Sequence, residues 1–508
     1  MKIKSVLLPF IAVFMAVSTA FGASISRLER VVPETVGVSS KAVYEMFDTL
    51  TSIDNVEIHS VIVMRHGKVV GELYPAPYKN EYKHTMYSCS KTFVGVAVGL
   101  AIDEKKLSVD DKVITFFKEY LPKTVSKELA ALRVEDLLTM RSGMKADWLT
   151  RNKVQDWTKT YLSHSFEEMP GKVFRYDSMC TYILSHIVQK VTGKKVMDYL
   201  QEKIFNAMDI HEAQWETSPE GVNTGGWGLH ISHESLAKLG QLMLDYGKWN
   251  GEQLVSEDWM RTMLAKHVET PNPKIDDYCY QSWQCIYPSA VRADGALGQY
   301  IISIPDKDMV VVVTQCCMAD AVAERAHIWN FLNTVTEEQL PENEKEYQTL
   351  LKKQSQYTLP MPEGKKSSSV LDAYANKKIE LGWNTLGWKW MKLTAEKDKL
   401  VMTIEEKDGI MHDIDFGYKN WQTIWSEAYP HYSLRVIENC MKGLDRHFGI
   451  AGSYAWSSKN VLNTEMQYVN WVTGIKLDIT FEGNGKVSLT IKENYNRKSS
   501  KATGKVVE

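Results

Sequence analysis

Residues 86–103 read MYSCSKTFVGVAVGLAID, and almost every position after Lys91 is apolar or small. A segment of this length and composition predicts a helix of about four turns that is buried on every side. Gly95 and Gly99 would allow neighbouring elements to approach this helix closely. Ser88 stands at its N-terminal end, and Lys91 follows one turn later on the same face.

Two interpretations of the pair Ser88 and Lys91 are open. Serine is a frequent helix N-cap, so the pair can simply begin a buried helix. Alternatively, the hydroxyl is a nucleophile, and a buried lysine near a helix N-terminus can serve as its base when neutral. The S-x-x-K spacing alone decides little, because Ser235 and Lys238 repeat it inside an amphipathic segment.

The segments on either side of the buried helix indicate how it is packed. SVIVMRHGKVVGELY (60–74) predicts a β-hairpin with its turn at His66-Gly67-Lys68. GQYIISIPDKDMVVVVTQ (298–315) predicts two further strands, and largely helical sequence lies between the two regions. We therefore expect an α+β domain whose single sheet is assembled from both ends of the segment.

The C-terminal third has a different pattern. Residues 340–369 are polar and contain several prolines, which predicts a linker with one short helix. From residue 370 to 508, apolar residues alternate with polar ones, as in the runs 400–404 and 475–481. This alternation predicts a separate all-β domain, either a small sandwich or a barrel.

The N-terminus has the features of a secretory signal peptide. Lys2 and Lys4 precede an apolar run, and small residues follow at 18–23, so we expect residues 1–22 to be a leader and residues 23–339 to form the first domain. The run is too short for a transmembrane helix, and no cysteine at the cleavage site indicates a lipid anchor. A periplasmic or secreted protein without a stable membrane anchor is predicted.

Charge and cysteine content restrict the function classes. The net charge of −3 gives no indication of nucleic-acid binding. The seven cysteines are an odd number without the spacing of a disulfide scaffold, and neither CxxC nor HExxH occurs. We therefore expect neither a metal nor another cofactor.

Two more segments combine a loop or turn with residues suited to catalysis. Tyr176-Asp177-Ser178 precedes an apolar helix, and a tyrosine there can relay a proton; the alternative is an aromatic staple before that helix. ADGALGQYIISIP (293–305) places two glycines near the start of a strand. A free N–H there could pair with that of Ser88 as an oxyanion hole; the alternative is a turn or bulge.

Taken in order, S-x-x-K, a Y-x-N-like element and a K-T-G-like strand resemble the penicillin-recognising serine hydrolases. These comprise class C β-lactamases, D-alanyl-D-alanine peptidases and related esterases. The segments PETVGVSS, IHSVIVMRHGK, LLTMRSGM and AKLGQLMLDYGKWNGEQLVSEDW are similar to the branch that contains 6-aminohexanoate-dimer hydrolase. The resemblance covers roughly residues 30–335. It implies a β-lactamase/transpeptidase-like fold, an antiparallel sheet flanked by helices with an inserted helical subdomain.

The resemblance also implies roles for individual residues. Ser88 would be the acylated nucleophile, Lys91 its general base and Tyr176 the proton shuttle to the leaving group. The backbone N–H groups of Ser88 and Ala296 would form the oxyanion hole.

Two positions depart from the family pattern. Ser178 stands where asparagine is usual, which shortens the reach to substrate. Ala293-Asp294-Gly295 replaces K-T-G, so the cation that normally engages a substrate carboxylate is missing. The acidic Asp294 could favour a neutral or amine-bearing substrate over β-lactams and carboxylate-terminated peptides.

The leading hypothesis is an exported serine hydrolase that cleaves an amide or ester bond of a small molecule through a Ser88 acyl-enzyme. The alternative is a catalytically impaired penicillin-binding-like protein that acts as a cell-wall or ligand-binding module. Four aromatic residues either wall the cleft or belong to the core, namely Trp148, Trp157, Tyr280 and Trp283.

Overall fold

The hairpin expected at residues 60–74 organises the first domain. In the computed structural model, which describes residues 26–145, 155–270, 276–430 and 441–507, it consists of the antiparallel strands Val56–Arg65 and Lys68–Leu73. His66 and Gly67 form its turn with positive φ angles of 50° and 72°. Glycine adopts this backbone conformation without strain, which explains its place in the turn.

The first domain alternates these strands with helices. Its strands are β1 Val56–Arg65, β2 Lys68–Leu73, β3 Lys83–Thr85, β4 Gln214–Trp215, β5 Leu229–Ser232, β6 Lys248–Trp249, β7 Glu252–Gln253, β8 Trp283–Gln284, β9 Val291–Gly295, β10 Gln299–Ile304 and β11 Met309–Cys317. The helices of the described residues are α1 Ser40–Thr51, α2 Ser90–Asp103, α3 Lys127–Ala131, α4 Val134–Leu138, α5 Trp157–Leu162, α6 Ser178–Thr192, α7 Val196–Leu200, α8 His233–Leu244, α9 Glu257–Leu264, α10 Ala321–Leu332 and α11 Glu344–Gln356.

The central sheet has the order β2-β1-β11-β10-β9-β8, and all its neighbouring strands are antiparallel. The first and last strands of the segment are adjacent, with Ile62 opposite Val312. The expectation of one sheet built from both ends of the domain is therefore confirmed. One face of the sheet packs on a core that includes α2, α6 and α8, and the other on α1 and α10.

Helix α2 is the buried helix that the opening stretch predicts. Every residue from Ser90 to Ala101 is buried. A side chain at position 99 would place its Cβ 1.9 Å from Trp259 Cδ1, so Gly99 is required for the close packing of α9. The small residues of the helix thus serve the contacts that the sequence suggested.

The C-terminal domain is a β-barrel. Its strands are β12 Ile379–Leu381, β13 Trp388–Ala395, β14 Lys399–Glu406, β15 Met411–Tyr418, β16 Gln422–Ser426, β17 Phe448–Trp456, β18 Val461–Tyr468, β19 Gly474–Gly483, β20 Lys486–Glu493 and β21 Ser500–Val506. Nine of the described strands form a ring, which the parallel pairing of β15 with β17 closes, and β16 adds to β17. Closure leaves no free sheet edge within the ring and decides between barrel and sandwich.

Within the expected linker 340–369, α11 packs on the first domain. Its Leu350 is buried in the same core as α1, and Lys353 Nζ lies 2.6 Å from Asp48 Oδ2. The chain then continues beside residue 76, where the N–H of Leu359 donates to the Ala76 carbonyl. The first half of this segment is therefore anchored to the first domain.

Six of the seven cysteines lie in the described part of the chain, and all six are free and buried. The expected leader (1–22), Trp148 and Cys440 fall outside the described residues. Among the helices that the structure describes, none combines the length and hydropathy needed to cross a bilayer.

Candidate active site

Ser88 lies in a single 3₁₀ turn, Tyr87–Cys89, directly before α2. It is partly exposed, whereas its immediate neighbours are buried. The turn is held by Ser90, whose hydroxyl donates to the Tyr87 carbonyl at 2.6 Å and accepts from the Leu229 N–H at 3.0 Å. The Met86 N–H in turn donates to the Leu229 carbonyl at 2.9 Å. Hydrogen bonds from strand β5 therefore hold the chain on both sides of Ser88.

Lys91 points from the first turn of α2 to Ser88. Its Nζ lies 3.0 Å from Ser88 Oγ, 2.7 Å from Ser178 Oγ and 2.5 Å from the carbonyl oxygen of Gly226. The residue is only 1 % exposed, so its amino group is enclosed by the site. The structure thus brings the two residues of the S-x-x-K element into hydrogen-bonding distance.

The second S-x-x-K sequence has a different environment. Ser235 lies inside α8, and its hydroxyl donates to Glu212 Oε1 at 2.7 Å. Lys238 Nζ donates to the backbone carbonyls of Met208 and Asp209. These contacts stabilise the fold, so identical spacing has a structural role in α8 and a site-forming role at α2.

Tyr176 completes the group around Ser88. Its hydroxyl interacts with the Ser88 side chain, which opposes the rise of the Tyr176 pKa, and Lys91 Nζ lies 4.8 Å from the centroid of its ring. Burial raises the pKa of Tyr176 above its ordinary value; the Ser88 side chain opposes this shift and the Asp294 charge adds to it. The group is therefore a protonated phenol near neutral pH and can donate a proton.

Ser178 begins α6, where Asp177 is the N-cap and accepts from the Met179 N–H at 2.9 Å. The Ser178 side chain is fully buried and contacts Lys91, so this shortened side chain has an acceptor role inside the site. The sequence analysis linked it only to substrate.

Gly226 is a site residue that the sequence analysis missed. A Cβ at this position would lie 2.6 Å from Ser178 Cβ, so only glycine lets this carbonyl approach Lys91 so closely. The sequence feature that could have indicated this residue is the presence of three glycines within Gly225–Gly228. Such a cluster is typical of a backbone that approaches another group closely.

The third predicted element, β9 and the turn after it, also abuts Ser88. A Cβ on Gly295 would lie 2.3 Å from the Met86 carbonyl oxygen, two residues before Ser88. Cys89 Sγ donates to the Gln299 carbonyl at 3.2 Å. Ala296 therefore follows a strand end that is packed directly on the 3₁₀ turn containing Ser88.

Asp294 is paired with arginine. Its Oδ2 accepts from Arg292 Nε at 2.7 Å, and Arg325 Nη1 lies 4.0 Å away. Arg292 is buried and also pairs with Asp276. The Asp294 charge is therefore balanced locally. Arg292 and Asp294 are two residues apart on β9 and share a face, so the alternation of a strand could have revealed the pair.

Comparison with known proteins agrees with this geometry. The beta-lactamase family model matches residues 56–328, more than half of the chain. The chain belongs to the beta-lactamase family. It is 26% identical over 225 residues to 6-aminohexanoate-dimer hydrolase of Paenarthrobacter ureafaciens, covering 40% of this chain. The aligned region spans only 56% of that relative's length.

Solved structures of the beta-lactamase family type share the fold. A Bacillus anthracis protein provisionally named a 6-aminohexanoate-dimer hydrolase superposes with a TM-score of 0.53 at 20% identity, covering 63% of this chain and 89% of its own. A penicillin-binding protein homolog from Caulobacter crescentus gives 0.50 at 16% identity, covering 60% and 100%. The expected β-lactamase/transpeptidase-like fold is confirmed.

The aromatic residues of this beta-lactamase family member divide between cleft and core. Trp283 is half-buried, and its ring centroid lies 5.4 Å from that of Tyr176, so it walls the site. Trp157 and Tyr280 are buried in the core at 1 % and 4 % exposure. Trp148 lies outside the described residues.

Proposed function

We infer that this chain is a serine hydrolase that cleaves an amide or ester bond through an acyl-enzyme on Ser88. One observation carries this proposal: buried Lys91 places its Nζ 3.0 Å from Ser88 Oγ and 4.8 Å from the ring centroid of Tyr176. A serine hydroxyl becomes a competent nucleophile when a base removes its proton, and this contact supplies the base.

In the acylation step, neutral Lys91 can donate its two N–H bonds to the Gly226 carbonyl and Ser178 Oγ. Its lone pair then faces Ser88. Lys91 takes the hydroxyl proton as Ser88 Oγ forms a bond to the substrate carbonyl carbon. The carbonyl π-bond electrons move to oxygen, and the N–H groups of Ser88 and Ala296 stabilise the resulting oxyanion.

Collapse of this tetrahedral intermediate breaks the bond to the leaving group. Tyr176, as a protonated phenol, donates its proton to the departing nitrogen or oxygen and recovers one from Lys91. The released amine or alcohol leaves a Ser88 ester. Water then loses a proton to Lys91 and attacks the ester carbonyl; when this second tetrahedral intermediate collapses, the bond to Ser88 Oγ breaks, Lys91 returns the proton to that oxygen, and the acid product leaves.

The charges near Asp294 support a substrate whose part next to this residue is neutral. Because Arg292 balances Asp294, strand β9 offers, within the part of the chain that the structure describes, neither a free cation for a carboxylate nor an unbalanced anion for an amine. Simple esters and linear amides therefore fit better than β-lactams or peptides with a free carboxylate. We also propose export to the periplasm or medium, supported by the leader-like residues 1–22.

The test is serine labelling combined with a substrate panel. Purified protein is treated with a fluorophosphonate, and turnover is measured with p-nitrophenyl esters, linear amides and nitrocefin. We expect the label on Ser88, and a loss of kcat of about a thousandfold or more in Ser88→Ala and Lys91→Ala. Ser235→Ala, in the second S-x-x-K sequence, is the matched control and should keep its activity.

Two results would contradict the proposal. Full turnover by Ser88→Ala would exclude Ser88 as the nucleophile. Folded wild-type protein that neither turns over any substrate nor takes the label would favour the alternative, a binding module of this fold.

A further inference from the structure

The barrel inserts one of its loops into the first domain. Residues 469–473 join β18 to β19 at one end of the barrel, and all five are buried. Trp471 at the loop's centre is completely inaccessible. In a barrel that merely followed the enzyme along the chain, such an end loop would face solvent.

Trp471 packs on the strand that holds the nucleophile turn. Its ring centroid lies 4.8 Å from that of His230, with an interplanar angle of 30°. His230 belongs to β5, where it pairs with Thr85. The preceding Leu229 accepts from the Met86 N–H and donates its own N–H to the Ser90 hydroxyl, so it contacts the chain on both sides of Ser88. The barrel therefore contacts β5 at the residue next to Leu229, which is hydrogen-bonded to the Ser88 turn.

The same histidine connects to the carbonyl that binds Lys91. Buried Glu216 lies 3.2 Å from His230 Nε2 and accepts from Trp227 Nε1 at 3.1 Å. Trp227 directly follows Gly226, whose carbonyl accepts from Lys91. Displacement of His230 would thus change the position of the Gly226 carbonyl that contacts Lys91, as well as the position of the Ser88 turn.

The two turns that carry the oxyanion N–H groups also contact the barrel. Tyr87, which precedes Ser88, belongs to the hydrophobic cluster of the barrel, and Ala296 and Leu297 pack against that cluster. Tyr87 and Leu297 have positive φ angles of 43° and 62°. Non-glycine residues keep such conformations only where the surrounding packing imposes them. Here the barrel provides part of that packing.

We propose that the barrel is a structural part of the catalytic centre and that Trp471 is a positioning residue that, through His230, holds the Ser88 turn and the Lys91 acceptor in place. This inference rests on the proposed function of Ser88. The barrel then contributes to kcat of its own chain through this packing, whether or not the barrel binds a ligand.

The experiment compares tryptophan variants of the full-length protein. Trp471→Ala removes the contact with His230. Trp456→Ala is the matched control, because Trp456 is equally buried but stacks on Phe481 inside the barrel. Ester turnover is measured well below the melting temperature of each variant. We expect kcat to fall about tenfold or more in Trp471→Ala with KM within about threefold, since small displacements of reacting groups cost rates of this order.

Two comparisons separate positioning from general stability. Trp471→Phe keeps an aromatic ring against His230 and should recover most of kcat, and Trp456→Ala should stay within about threefold of wild type. Equal kcat losses in Trp471→Ala and Trp456→Ala, or none in Trp471→Ala, would overturn the inference. If Trp471→Ala does not fold, Trp471→Leu is compared with Trp456→Leu by the same criterion.

Failure of the inference is distinguishable from failure of the proposed function. Wild-type protein with labelled Ser88 and normal turnover, together with a fully active Trp471→Ala, would refute the positioning role alone. Wild-type protein without label or turnover would refute the proposed function itself.

Discussion

Replacing Ser178 by alanine tests whether this hydroxyl serves the lysine or the substrate. The side chain is completely buried, and its oxygen lies 2.7 Å from Lys91 Nζ. Alanine would leave Lys91 with one acceptor fewer while the backbone of α6 stays as it is. A residue that binds substrate would affect KM, whereas one that orients the base would affect kcat.

The expected size of the effect follows from the lost hydrogen bond. A buried donor left without its partner costs about 1–3 kcal/mol. If the loss of this hydrogen bond raises the activation free energy by the same amount, kcat falls by about 5- to 150-fold. KM should stay within about threefold. Steady-state kinetics with p-nitrophenyl esters measure both constants.

The same helix offers a matched control. Ser185 is equally buried in α6, and its hydroxyl donates to the Asn223 carbonyl at 2.8 Å. Ser185→Ala therefore removes a comparable hydrogen bond and should leave kcat almost unchanged. Ser178→Thr retains the hydroxyl and should restore part of the rate. A rise in KM with unchanged kcat in Ser178→Ala, or an equal kcat loss in Ser185→Ala, would refute the assignment.

Two further outcomes follow from charged and titratable groups. Burial lowers the pKa values of His59, His84 and His233, the last to about 4. Below pH 6.5, the ordinary pKa of histidine, these side chains are therefore protonated in the unfolded chain while the folded protein keeps them neutral. The free energy of unfolding should therefore fall as the pH drops from 6.5 towards 4, by about 1.4 kcal/mol per pH unit for His233. Urea unfolding at several pH values should show a correspondingly smaller slope in His233→Gln; an unchanged slope would contradict this. Asp294→Asn leaves Arg292 less well balanced, so kcat/KM for carboxylate-bearing esters relative to neutral ones should rise about three- to tenfold. Competition between the two ester types measures this ratio, and an unchanged ratio would show that Asp294 does not face the substrate.

The barrel changes how the C-terminal part of the chain is understood. The sequence analysis treated residues 370–508 as a separate unit, and the strand ring agrees with that description. The buried loop around Trp471 and the packing of Tyr87 against the barrel cluster nevertheless join its core to the turn that contains Ser88. Removal of this domain is therefore expected to alter the site as well as the solubility of the protein.

Local patterns in the sequence were sufficient for several elements. The alternation at 60–74 predicts the hairpin, and the apolar run after Lys91 predicts α2. The proximity of Ser88 and Lys91 also follows from local geometry, because residues three apart on a helical turn share one face. Each of these features depends on neighbours within a few residues.

Other features depend on residues far apart in the chain. The carbonyl of Gly226 meets Lys91 across more than a hundred residues, and Trp471 meets His230 across more than two hundred. No periodicity encodes such pairings. They arise when whole elements pack, and close packing selects the partners by shape and hydrogen-bonding capacity.

The sequence by itself thus determined the type of each main element and placed Ser88 and Lys91 on one face at the start of α2. Only the tertiary structure decided that Ser178 and Gly226 contact Lys91, that Arg292 balances Asp294, and that the β-domain closes into a barrel against the turn that contains Ser88. The physical reason is range. Backbone dihedral preferences and side-chain periodicity act within a turn or a strand, whereas burial and charge pairing depend on which distant surfaces meet.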